Sequence, residues 1–346
     1  MNVVPPPGAG SPLRSPGIPW FPITGPTGSE ILVPPSTDED HPYFTPGQPA
    51  EIRDYYRENG YVVVRGLVPT EICRSAIKHF EDEVKPYPGF IYRQATANPE
   101  RHVFTPHGFM LNPILNVQSL DVRHFARFRE DGLSIMTHPR MQAAVRTILG
   151  EPGKVVQSMY FEGNPATWAH QDSYYLDAEE LGRMAGSWIA VEDIAPGAGR
   201  FFIYPGSHRL DVARNGGDVD VAFNHDRYKK FVIDYIRMQG LQCRAPALRQ
   251  GDVLFWSSKT LHGSLDTTQP QYSRSSFTAH YIPDSLRLLQ FQSRIRKLQL
   301  EHVNGMRVHR PKDLGRWSQR AVFWIETTFP KAFRTVKKVA IKAHTH

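Results

Sequence analysis

The stretch Trp168-Ala169-His170-Gln171-Asp172-Ser173-Tyr174 decides how the rest of the chain is read. It has the character of a strand end, and side chains two apart in a strand share a face. His170 and Asp172 can therefore grip one ion together. A neutral imidazole with a carboxylate oxygen suits a divalent first-row metal, and a second histidine from elsewhere would complete a two-His-one-carboxylate face. An isolated His-x-Asp pair is weak evidence, so the flanking sequence has to supply the third ligand.

Downstream, Gly251-Asp252-Val253-Leu254-Phe255-Trp256-Ser257 reads as a strand running into a turn, and the turn delivers His262 in Leu261-His262-Gly263-Ser264. Arg274 then opens another strand, Arg274–Ile282. A planar guanidinium grips a carboxylate bidentately, as the remote end of a dicarboxylate requires. Further strands are expected at Lys154–Glu162, Gly186–Asp193 and Arg200–Tyr204, separated by Gly/Pro turns. The spacing predicts a mostly β protein with flanking helices, a jelly-roll (double-stranded β-helix, cupin-like) barrel.

Upstream, a helix over Pro49–Asn59 is stopped by Gly60 and followed by the β-branched strand Tyr61–Val64. Apolar residues Cys73, Ile77, Phe80 and Val84 mark one face of a helix over Thr70–Val84. Another helix is expected from His138 to Leu149, with Thr137 as its N-cap and Gly150 as its stop.

The 346 residues hold 29 Pro and 26 Gly, 40% hydrophobic and 22% charged residues, ordinary values for a globular chain rich in turns. Thirteen of the prolines fall in residues 1–49, which are expected to form an extended arm. Residues 50–286 carry the jelly-roll domain, with a charged helical insert at 207–245. Residues 287–346 form a basic, partly helical extension holding 14 Lys and Arg against 3 acids, while the body is mildly acidic. Two distant cysteines, Cys73 and Cys243, give no disulfide framework or metal motif. Without a signal-like N-terminus or an apolar span, the expectation is a soluble cytoplasmic protein. Nucleic-acid binding is disfavoured by the acidic body and the lack of any motif for it.

Taken together, Glu58-Asn59-Gly60-Tyr61-Val62-Val63-Val64, His170-Gln171-Asp172, Gly186-Ser187-Trp188-Ile189-Ala190, Tyr204-Pro205-Gly206-Ser207-His208, His262-Gly263-Ser264 and Arg274 resemble the phytanoyl-CoA dioxygenase family of Fe(II)- and 2-oxoglutarate-dependent oxygenases. The resemblance implies that His170, Asp172 and His262 bind Fe(II), and that Arg274 with Ser264 holds the distal carboxylate of 2-oxoglutarate. It places Trp188 and Gln157 beside the co-substrate. It implies use of O2 with release of succinate and CO2. Asp172, where some relatives carry Ala or Gly, points to hydroxylation rather than halogenation. Arg287 is the nearby rival to Arg274.

Trp168, Tyr174 and Tyr175 flank the metal motif and are candidates for a substrate wall, with core packing as the plainer alternative. Arg200 is a candidate contact for an anionic substrate, or else a solvated surface arginine. His280 is either pocket-lining or a core histidine, and His208 stabilises a turn. After Pro330 the tail reads as a basic amphipathic helix suited to self-association, packing on its own body, or contact with a membrane surface. Two other functions remain at this level: a non-redox metal-dependent isomerase or hydrolase, and a silent ligand-binding protein recruited through its tail. The small-molecule substrate itself is not encoded in any motif.

Overall fold

The computed structural model describes residues 20–210, 225–292, 294–333 and 335. The remainder of the Pro-rich arm, residues 211–224 of the insert and most of the expected tail helix, including Val336, Lys337, Lys338, Val339, Ala340 and Lys342, lie outside the described residues.

The chain opens with a hairpin, β1 (Phe21–Thr24) and β2 (Glu30–Val33), followed by α1 (Pro49–Asn59) and β3 (Tyr61–Val64). Gly60 takes the left-handed conformation at φ 75° and ends α1, as its position predicts. The chain continues through α2 (Thr70–His79) with a π-turn at Phe80–Val84, then the short strands β4 (Ile91–Tyr92), β5 (Pro99–Glu100) and β6 (Ile114–Leu115). Two helices follow, α3 (Val122–Met136) and α4 (Pro139–Leu149). Helix α3 was not expected. Its existence also moves the α4 cap: the Thr137 hydroxyl donates back to Leu133 O at 2.7 Å, and His138 Nδ1 caps α4 by accepting from Arg140 N.

The strands of the body are β7 (Gly153–Phe161), β8 (Thr167–His170), β9 (Leu176–Ala178), β10 (Ala185–Ala190), β11 (Phe201–Ile203), β12 (Val253–Ser257), β13 (His262–Ser264) and β14 (Ser276–Pro283), with α5 (His225–Met238) between β11 and β12. Then come β15 (Leu288–Gln290), β16 (Arg294–Arg296), β17 (Leu300–Val303), β18 (Met306–His309) and α6 (Trp317–Thr328). The major sheet runs β17-β18-β7-β14-β10-β12-β3, with β6 also on β7; the minor sheet is β11-β13-β8, and β16-β15-β9 form a third.

All four residues of β3 are buried because both faces of the major sheet are covered. Val62 and Val64 pack with Val253 and Phe255 against the helices, while Tyr61 and Val63 join Trp188, Leu254 and Trp256 facing Phe201 and Ile203 of the minor sheet. The expected closed barrel is not formed among the described residues. The two sheets meet by side-chain packing, with Phe201 4.7 Å from Trp256, rather than by a continuous ladder. The free edge of β3 is covered by the chain at Phe44, whose N–H donates to Val63 O at 2.9 Å. The β1–β2 hairpin packs through Ile23 and Val33 on Tyr228, Val232 and Ile236 of α5.

Candidate metal centre

The minor sheet brings the three sequence-predicted ligands together. His262 on β13 pairs in register with His170 on β8, and Asp172 follows in the turn just past β8. Asp172 Oδ1 lies 3.5 Å from His170 Nε2 and 3.5 Å from His262 Nε2. One donor atom from each residue falls within 4.8 Å of the others. Cis ligands each about 2.1 Å from a metal stand about 3 Å apart, so this face needs only a small contraction to hold an ion.

The tautomers follow from the partners. His170 Nδ1 donates to Trp168 O at 2.9 Å and His262 Nδ1 to Thr260 O at 2.8 Å, which leaves both Nε2 lone pairs aimed at Asp172 Oδ1. The other carboxylate oxygen is held from behind: Trp256 Nε1 donates to Asp172 Oδ2 at 2.8 Å, and His280 Nε2 lies 3.2 Å from it. Burial pushes the Asp172 carboxyl towards its neutral form. The neighbouring His262 and His280, when their rings are protonated, outweigh that and hold it well below the usual range, and a proton on Nε2 of His170 or His262 adds a hydrogen bond to the carboxylate. Asp172 is thus a fixed anion with one oxygen free.

Two glycines make this geometry feasible. A Cβ on Gly186 would collide with the Trp256 indole, which lies across β10 to reach Asp172. A Cβ on Gly263 would strike Thr167 O and the Phe202 ring, so only glycine lets β13 approach β8 between His262 and Ser264.

Arg274 is 2% exposed, and burial alone pulls its pKa down to about 9. Its guanidinium lies 5.2 Å from the Phe161 ring and 6.0 Å from the Trp188 ring, with no carboxylate or carbonyl bonded to it among the described residues. Its Nε, like those of Arg65 and Arg200, is buried without a partner among the described residues. A line of rings connects it to the triad: Trp188 is 6.1 Å from Phe201, which stacks on His262 at 5.3 Å. The rival Arg287 sits on the surface, paired with Glu179 at 2.6 Å.

The other expected residues are placed unequally. Ser264 Oγ accepts from Thr167 N at 2.8 Å and donates to Asn164 Oδ1 at 3.1 Å, so its one proton is already committed. Gln157 on β7 stands opposite His280 in register. Arg200 is buried rather than solvated, and its guanidinium donates to Pro34 O at 2.6 Å and Ile194 O at 3.1 Å. Burial pulls its pKa down to about 10, partly offset by Asp40. His208 donates from Nε2 to Arg57 O at 3.1 Å, tying its turn to α1.

Trp168, Tyr174 and Tyr175 gather beside the triad, with Trp168 5.4 Å and Tyr175 6.0 Å from His170. Tyr174 stacks on Tyr228 of α5 at 3.7 Å, and Lys229 Nζ lies 5.3 Å from the Trp168 ring. Tyr228, Trp256 and Phe201 were not singled out from sequence. Only the charged helical insert that carries Tyr228 was singled out there.

The phytanoyl-CoA dioxygenase family model matches residues 56–276, more than half of the chain. The mouse phytanoyl-CoA dioxygenase domain-containing protein 1 is 35% identical over 121 residues, which cover 33% of this chain but only 41% of that protein's length. The human peroxisomal phytanoyl-CoA dioxygenase is 23% identical over 248 residues, 67% of each chain. Among solved structures, EctD from S. alaskensis with 2-oxoglutarate and 5-hydroxyectoine aligns with a TM-score of 0.52 at 15% identity, covering 81% of this chain and 88% of that one. The alpha-ketoglutarate-dependent epimerase SnoN aligns at 0.51 and 16%, covering 71% and 87%. These two structures share the fold. The chain belongs to the phytanoyl-CoA dioxygenase family.

Proposed function

We propose that this chain is an Fe(II)- and 2-oxoglutarate-dependent dioxygenase that hydroxylates a small-molecule metabolite. The observation that carries the proposal is the pairing of an open three-donor face with a buried guanidinium that lacks an anion. Two histidines and one carboxylate would hold Fe(II) through one atom each and would leave room on it for a keto acid and O2. Bound there, Fe(II) supplies the O2 activation that couples decarboxylation of 2-oxoglutarate, to succinate and CO2, with oxidation of the substrate.

The residues of this chain do the rest. His170 and His262 present fixed Nε2 lone pairs, and Asp172 presents Oδ1 while Trp256 and His280 hold Oδ2. Arg274 takes the distal carboxylate of 2-oxoglutarate, where the buried cation gains the anion it otherwise lacks. Trp188 and Phe201 line the way between the two and exclude water. Ser264 assists only by giving up its bond to Asn164. Trp168, Tyr174, Tyr175 and Tyr228 present aromatic surface to the substrate. Arg200, bound to two backbone carbonyls, is left out of substrate contact.

The test is succinate formation from 2-oxoglutarate in the presence of Fe(II), ascorbate and a panel of metabolites, together with the weak visible charge-transfer band on anaerobic addition of Fe(II) and 2-oxoglutarate. Turnover that persists under strict anaerobiosis favours a non-redox metal enzyme instead. Absence of both the band and turnover favours a silent binding protein.

A further inference from the structure

After β14 the chain turns back to the metal centre through the hairpin of β15 and β16. At its tip the Phe291 N–H donates to Tyr175 O at 2.8 Å, and Gln292 Nε2 donates to Ser173 O at 3.2 Å. The tip is therefore bound on the residues that follow Asp172. Phe291 and Gln292 both take the left-handed conformation, at φ 49° and 55°. A phenylalanine is strained there, and such backbone persists where its surroundings enforce it, commonly beside ligand sites. Register decides which side chains look inward. Leu288 packs with Val156, Ala178, Met184 and Ile282. Ile282 lies two residues past His280 on β14, on the face from which His280 meets Asp172. Gln290 shares the face of Leu288 and stands opposite both Leu176 and Arg294. Leu176, Gln290 and Arg294 thus form a half-buried row turned towards the metal side, at the end of the sheet where β9 leaves the Asp172 turn.

Nothing of opposite charge answers Arg294. From Leu288 to Gln299 the sequence holds Arg294, Arg296 and Lys297 and no Asp or Glu. On β9 and the turn after it every acid is already engaged. Asp177 accepts from the N–H groups of Ala178, Gly182 and Met184 and from Ser258 Oγ, Glu179 pairs with Arg287, and Glu180 pairs with Arg183. Arg294 makes no ion pair or hydrogen bond of its side chain among the described residues. A guanidinium set in a half-buried wall offers a fork of donors that matches a carboxylate or a phosphate. We infer that Arg294 is a specificity-determining residue of the substrate site. It binds an anionic group, carboxylate or phosphate, at the end of the substrate remote from the oxidised carbon, while the rest of the molecule passes Leu176 and Tyr175 towards the triad.

The inference rests on the reading of the triad as the place where substrate is oxidised, and its test separates the two. The full chain is given Fe(II) and saturating 2-oxoglutarate without oxygen, checked for the charge-transfer band, and then titrated by calorimetry with phenyl phosphate, benzoate and phenol. The three probes share a ring suited to Tyr175 and Trp168 and differ in the anion. Phenyl phosphate or benzoate should bind and shift the band, and phenol should bind about tenfold or more weakly. Tighter binding of phenyl phosphate assigns a phosphate ester to the site, and tighter binding of benzoate a carboxylate. Arg294→Gln should lower the anion's affinity by about tenfold or more while the band still forms, and Arg294→Lys, which keeps the charge and loses the fork, should fall between. Arg296→Gln, at an exposed position, should bind like the parent. Equal binding of all three probes, no binding of either anion, or anion binding that survives Arg294→Gln overturns the inference and leaves the proposed function standing. A parent that gives no band overturns both.

Discussion

Arg200 and Arg274 are equally buried, each 2% exposed, and yet they sit in opposite kinds of surroundings. Arg200 belongs to a region behind the minor sheet where buried charges are answered. Arg65 pairs with Asp252 at 2.8 Å and Asp40 at 3.4 Å, Arg244 pairs with Asp40 at 2.9 Å, and Arg200 donates to the Pro34 and Ile194 carbonyls. Arg274 lies between two aromatic faces with no carboxylate or carbonyl bonded to it among the described residues. The first region pins residues 34–41 of the arm onto the body. The second holds a cation and a ligand face whose partners the described chain does not supply. Burial of charge therefore marks structure in one place and a binding site in the other, and what separates them is satisfaction.

The sharpest break comes from the ligand face. Asp172→Ala should abolish succinate formation and the anaerobic charge-transfer band while the protein stays folded, at a cost of about 1–3 kcal/mol because Trp256 Nε1 loses its buried acceptor. His262→Ala should match it, and full activity in both variants sinks the assignment.

On the other side, Asp40→Ala leaves Arg65 and Arg244 short of a buried partner and should destabilise the fold by about 3–5 kcal/mol in denaturant unfolding. Whatever folds should still show the charge-transfer band. A variant of normal stability would mean that the arm network is incidental.

Between these lies the co-substrate anchor. Arg274→Ala should raise the apparent requirement for 2-oxoglutarate by about a hundredfold or more, with a much smaller change in that for substrate. An unchanged requirement moves the anchor elsewhere. Trp256→Phe keeps an aromatic ring but removes the indole donor, leaving Asp172 Oδ2 with His280 alone, and should weaken Fe(II) binding by about 10–100-fold in an anaerobic titration. Parent-like affinity would reduce the indole to packing.

The two sides were unequally legible in the sequence. His170, Asp172, His262 and Arg274 could be picked out because local spacing and flanking motifs carry them. The strands around them were legible from alternation and turn residues. Trp256 and His280 are 84 and 108 residues from Asp172 in the chain, and their convergence on one oxygen is a product of register between β12, β10 and β14. No local pattern reports such a meeting. Arg200 misled because a lone arginine after a glycine turn looks solvated, and its partners Pro34 and Ile194 are carbonyls that any residue could provide. Helix α3 was hidden by Gly132, which is needed where a Cβ would press on Val117.

One substitution made at both arginines puts the comparison to its finest test. Methionine roughly keeps the volume and removes the charge. At Arg200 it leaves two buried carbonyls without donors and should cost about 1–3 kcal/mol of stability. At Arg274 it removes an unpaired buried cation from between two rings, and without 2-oxoglutarate the variant should be more stable than the parent by about 1 kcal/mol. Adding 2-oxoglutarate with a redox-inert divalent metal should then raise the melting temperature of the parent and of Arg200→Met, and leave Arg274→Met nearly unmoved. Equal destabilisation at both positions would mean that Arg274 is held by the fold rather than kept waiting for an anion.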